Sequence, residues 1–99
     1  MSYGTVLVAR MKPGAEDKLR EGARRWVEER VPVVRGFEQE WVLFGEDGTV
    51  VMAVRFASKA DYDALADDPA QDAFYQQHLG PHLEDIRWID GTWDPPITA

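Results

Sequence analysis

Residues 50–56 read VVMAVRF, and strand alternation puts Val50, Met52, Val54 and Phe56 on one side and Val51, Ala53 and Arg55 on the other. Both sides are largely apolar, whereas a strand with one solvated face alternates clearly between apolar and polar. Residues 3–11, YGTVLVARM, repeat the pattern with Val6 and Val8 opposite Leu7, Ala9 and Met11. The run from Phe37 adds Trp41 and Leu43 opposite Val42 and Phe44. A sheet of such strands has two faces that both need covering.

The order of elements says what covers the first face. After the strand at 3–11, Leu19, Ala23, Trp26, Val27 and Arg30 recur at helical spacing, with Glu16 and Asp17 opening the helix and arginines toward its end. Two extended runs joined by GEDG form a hairpin. Ser58 followed by Asp61 opens a second helix, Asp68–Pro69 restarts it through AQDAFYQQHL, and LEDIRWIDGTW is the last strand. The sequence βαββαβ predicts one α+β domain over residues 1–99. It is a ferredoxin-like sandwich whose four-stranded antiparallel sheet carries helices on one face. The chain has no further helix for the other face, so a second copy packing sheet on sheet is expected, giving a homodimer. The tail GTWDPPITA should then run along or across the partner, and charge at Leu7 or Ala53 should break the assembly.

With 99 residues, one core is expected. A chain without cysteine has no thiolate nucleophile, disulfide or thiolate-held metal. The net charge of −7 disfavours nucleic acid and anionic membranes, leaving neutral or apolar ligands. No apolar run approaches a membrane span, and the opening residues hold no basic leader, so a soluble cytoplasmic protein is expected. Glycines fall singly at turns, without a phosphate loop, dinucleotide fingerprint or nucleophile elbow. The acidic run ADYDALADDPAQD places its aspartates where caps belong and not as a calcium loop. With those fingerprints missing no tightly held metal, flavin or nicotinamide is expected, haem on His78 being the exception.

The two histidines, His78 and His82, are four apart, a spacing that on one helix would let both meet a metal ion. Gly80 and Pro81 stop the helix first, which detaches His82 as a bystander. His78 shares a stripe with Phe74 and is expected to face the sheet. It either caps the helix end or hangs into a cleft as a base that removes an acidic proton. Phe74, Trp26, Trp41 and Arg55 are the expected substrate-binding residues, with Trp88 as a further aromatic wall. Arg55 would orient a substrate oxyanion or pair across the sheet with Glu38, Glu40 or Asp90. Glu38 and Glu40 share one face of a regular strand, as an acid–base couple or as charges that discourage edge pairing. Tyr75 is expected to point off the Phe74 stripe toward the surface or a neighbour.

In ARMKPGAEDKL, GFEQEWVLF, RFASKADYDAL and FYQQH the chain resembles the antibiotic-biosynthesis-monooxygenase-like family of the dimeric α/β barrels. The resemblance covers nearly its whole length. It implies a dimeric α/β barrel that oxygenates an aromatic or polyketide-like small molecule without a cofactor, by proton abstraction and reaction with oxygen. The alternatives are a cyclase or isomerase of such compounds, or a non-catalytic small-ligand-binding homodimer. The haem-degrading branch pairs its histidine with an asparagine and a tryptophan. This chain has no asparagine, and Leu65 stands where the tryptophan would fall, so only His78 matches.

Overall fold

The computed structural model describes residues 2–99. Strand β1 (Tyr3–Met11) leads to helix α1 (Glu16–Glu29), the hairpin β2 (Phe37–Phe44) and β3 (Thr49–Phe56), helices α2 (Lys59–Ala66) and α3 (Pro69–His78), and β4 (Leu83–Thr92). The strands form one antiparallel sheet in the order β2-β3-β1-β4. This is the ferredoxin-like βαββαβ arrangement, its second helix split in two. The split follows local chemistry: the Ser58 hydroxyl accepts from Asp61 N at 3.2 Å to open α2. Asp68 then accepts from Ala70 N at 2.9 Å, with Pro69 at the first turn of α3. Helix α3 stops at His78, and Gly80–His82 forms a 3-10 turn into β4.

The two faces sort as the alternation predicts. Leu7, Ala9, Val50, Met52 and Phe56 are buried under the helices with Leu19, Trp26, Phe74 and Leu79. On the helix-free side Trp41, Leu43 and Ile89 stay exposed at 42%, 65% and 45%, beside partly covered Val6, Val8, Val51 and Ala53. The register corrects one expectation: Val6 pairs with Ala53 and Leu7 with Met52, so Leu7 belongs to the helix-side core and only Ala53 to the helix-free face. Part of the tail folds back on its own sheet. Trp93 Nε1 donates to the Val54 carbonyl at 3.0 Å, and its ring lies 5.8 Å from that of Trp41. A Cβ at Gly4 would collide with both the Val54 carbonyl and Trp93 Nε1, so the absence of a side chain there admits the indole. Ile97 is fully exposed.

Two irregularities re-aim side chains. In β2 the register slips between Phe37 and Gln39, so Gln39 pairs with Arg55 and Glu40 with Val54. One extra residue in a strand reverses the parity beyond it. Glu38 and Glu40 therefore do not share a face. Glu38 accepts from Ser2 Oγ at 3.0 Å and lies 3.2 Å from Arg55 Nε, an ion pair without hydrogen-bond geometry, while Glu40 turns under the helices. In β4 the register shifts opposite Val8–Arg10, and Asp85 takes a left-handed φ of 54°.

Candidate active site

A cavity of about 350 Å³ lies between the helices and the sheet, the size of a small-ligand pocket. Its floor is Thr5, Leu7, Met52, Val54 and Phe56 from the central strands, with Glu40 from β2 and Trp88 from β4. Its roof is Trp26 of α1, Tyr62 and Leu65 of α2, and Gln71, Tyr75 and Gln76 of α3. The walls are mostly apolar and aromatic. Trp26 packs edge-on against Phe37 at 5.2 Å, and Tyr75 tilts over Trp88 at 5.7 Å. Among the described residues no lysine, arginine or histidine lines it.

Glu40 is the chemically distinctive group. Burial pushes its carboxyl from an ordinary 4.5 up to about 7, and no cation or hydrogen-bond donor acts against that shift. A carboxylate so placed ionises near neutral pH and is a far stronger base than one in water. The two tyrosines hold the opposite character. Burial, opposed in part by the Thr5 hydroxyl and reinforced by the carboxylate of Asp90 that accepts from its hydroxyl at 2.9 Å, pushes Tyr62 up to about 12. Burial alone raises Tyr75. Both are neutral phenols at physiological pH; Tyr62 gives its proton to Asp90, and Tyr75 can donate to an oxygen without titrating.

Of the residues expected to act as base or to bind substrate, Trp26 lines this cavity, while His78, Phe74, Trp41 and Arg55 do not. Trp41 and Arg55 sit on the helix-free face, the guanidinium 6.0 Å from the indole, so they cannot meet a ligand that touches Trp26. Arg55 takes the pairing role, with Glu38 as partner. Phe74 is core. His78 does share its stripe, with ring centroids 4.6 Å apart, but His78 itself lies beside α1 rather than in the cavity. His78, His82, Asp17 and Glu21 border a separate hollow between α1 and the end of α3. Among the described residues no three His, Asp or Glu side chains converge as metal ligands. Tyr75, expected to leave the Phe74 stripe toward the surface or a neighbour, does leave it and is half-buried in the cavity wall against Trp88, and the aromatic wall is Trp26 with Trp88 and without Trp41. Glu40 was visible as one of a pair; what concealed its place in the cavity was the bulge that separates it from Glu38.

No protein-family model and no curated protein matches the sequence. Solved structures do match in fold. A monooxygenase from the gene ActVA-Orf6 of Streptomyces coelicolor, solved with nanaomycin D, aligns over 99% of this chain and 92% of its own, at 22% identity and a TM-score of 0.81. A protein described as an antibiotic biosynthesis monooxygenase aligns over 96% of this chain and 100% of its own, at 15% identity and a TM-score of 0.72. A dimeric ferredoxin-like protein of unknown function from Jannaschia sp. CCS1 aligns over 94% and 100%, at 15% identity and a TM-score of 0.73. The chain has the fold of the antibiotic biosynthesis monooxygenases.

Proposed function

We propose that the protein is a monooxygenase that works without a bound cofactor on an aromatic or polyketide-like molecule, with Glu40 as its base. The observation that carries this reading is the Glu40 carboxylate, raised to about 7 by burial, in an aromatic cavity of ligand size. Proton abstraction is assigned to Glu40 and not to His78 because only Glu40 lines that cavity. A substrate methylene activated by flanking aryl rings conjugated to a carbonyl loses a proton to the carboxylate. The carbanion adds to oxygen, and the resulting peroxide anion takes the proton back as a hydroperoxide. Loss of the remaining C–H proton with cleavage of the O–O bond leaves a ketone and releases water. The substrate is oxidised by four electrons, one oxygen atom enters the product and the other becomes water. The fold shared with the nanaomycin-bound enzyme supports the substrate class.

The working unit in this reading is a homodimer that covers Trp41, Leu43 and Ile89.

Oxygen uptake tests the chemistry, with 1,8-dihydroxy-9-anthrone as substrate and its spontaneous oxidation subtracted. The wild type consumes one oxygen per ketone formed, with kcat/KM rising through about pH 7 as Glu40 ionises. Glu40→Gln falls by about 100-fold or more, the scale of one positioned base, while His78→Ala stays within about twofold. Equal rates for the wild type and Glu40→Gln overturn the assignment. Proton exchange at the methylene without oxygen uptake turns the reading to a cyclase or isomerase.

A further inference from the structure

We propose that Gln71 donates its carboxamide N–H to a carbonyl oxygen of the bound molecule, and that the cavity takes uncharged oxygenated aromatics and rejects their carboxylates. The proposal rests on reading this cavity as the ligand site. The orientation of the amide follows from its neighbours. Trp26 Nε1 lies 3.1 Å and Arg30 Nε 3.3 Å from Gln71 Oε1. An indole N–H and a guanidinium can only donate, so the oxygen must face them and the amide nitrogen must point away. The anchor is stiff: Arg30 Nη2 also holds Asp68 Oδ2 at 2.8 Å, and the Asp68 carbonyl accepts from Gln71 N at 3.0 Å. Two donors on one carbonyl, one of them charged, polarise the amide and strengthen its remaining N–H groups. Gln71 borders the cavity, and its amide nitrogen has no partner among the described residues.

The other polar groups narrow the ligand. Thr5 spends its hydroxyl proton on the Ile89 carbonyl at 3.3 Å and Tyr62 donates to Asp90, so neither hydroxyl proton is free. The charged groups on the wall, Glu40 and Asp72, are both acidic, and no cation lines it among the described residues. A ligand carboxylate would therefore lose its hydration beside negative charge with nothing to offset the loss. A neutral ketone asks only for a donor, which Gln71 supplies from an anchored position; Tyr75 and Gln76 carry the other uncommitted donors on the wall.

Calorimetry at pH 8 with three naphthalenes tests this: 1-hydroxy-2-acetonaphthone, its carboxylate counterpart 1-hydroxy-2-naphthoate, and 2-ethyl-1-naphthol, which lacks the ketone oxygen. The wild type binds the ketone at least about tenfold tighter than the naphthoate. It also prefers the ketone to the ethyl compound by about three- to tenfold, the scale of one neutral hydrogen bond. Gln71→Glu keeps oxygens to accept from Trp26 and Arg30 but has no N–H to give. Its melting temperature stays near that of the wild type while the preference for ketone over ethyl compound disappears, which a purely structural glutamine would not produce. Naphthoate binding as tightly as ketone, or a wild type indifferent to the ketone oxygen, overturns the proposal on the unmodified protein. A preference undiminished in Gln71→Glu overturns it as well. These are binding measurements: ketone selectivity without oxygen uptake would defeat the enzymatic reading alone, and uptake without ketone selectivity would defeat this one alone.

Discussion

Glu40 shows what a single residue can cost the fold that carries it. Its carboxyl sits near 4.5 in the unfolded chain and about 7 in the folded one, so between those values the native state binds more protons and stability falls as pH rises. The loss is complete above about pH 7 and reaches up to about 3 kcal/mol at 1.36 kcal/mol per pH unit. Glu40→Gln removes the penalty. Thermal unfolding should find that variant more stable than the wild type at pH 8 and little different at pH 4.5, with activity lost throughout. A wild type no less stable at pH 8 than at pH 5 would show that the carboxyl is not held out of water. None of this can be read from the local pattern, because strand parity assumes one residue per step. FEQEW offers no glycine or proline to announce the slip after Phe37, and the choice is made by the partner strand.

Elements were more legible than their orientations. Ser58, Asp68 and Pro69 mark their helix starts because capping is a contact between residues two or three apart. The azimuth of α3 is a tertiary matter. Its Phe74–His78 stripe exists as the spacing predicts, yet His78 ends beside α1, which approaches closely at Gly22. A Cβ there would lie 2.9 Å from the His78 carbonyl oxygen and 3.0 Å from Leu79 Cδ2. Gly22 is thus the contact that lets α1 settle against the end of α3, and the hollow beside it is where His78 ends up. The arginines of α1 serve its outer face instead of its last turn: Arg24 and Arg25 pair with Glu21, Glu28 and Glu29 in exposed bonds that add little stability. Gly22→Val should lower stability by at least about 1 kcal/mol in chemical denaturation, because overpacking against the end of α3 outweighs the few tenths of a kcal/mol that valine gains over glycine in helix propensity. A neutral result would mean that the two helices have room to part.

For the whole molecule, the double-sided apolar pattern in the strands was the most far-reaching signal, and the structure keeps it: one face is the core, and the other presents Trp41, Leu43 and Ile89. Trp93 shields only the end of that face near Gly4 and Val54. Sedimentation at micromolar concentration should find a two-chain species. Leu43→Glu, at a position 65% exposed in the single chain, should leave folding intact and shift it to one chain. A wild type that sediments as one chain would leave the exposed face without its proposed cover. The four tryptophans divide evenly across the sheet, Trp26 and Trp88 along the cavity and Trp41 with Trp93 on the far side. A single layer of backbone thus separates two pairs of intrinsic fluorophores. With one pair replaced by phenylalanine, the light emitted by the other reports ligand entry or subunit association separately, so the chain carries an optical gauge for each of its two surfaces.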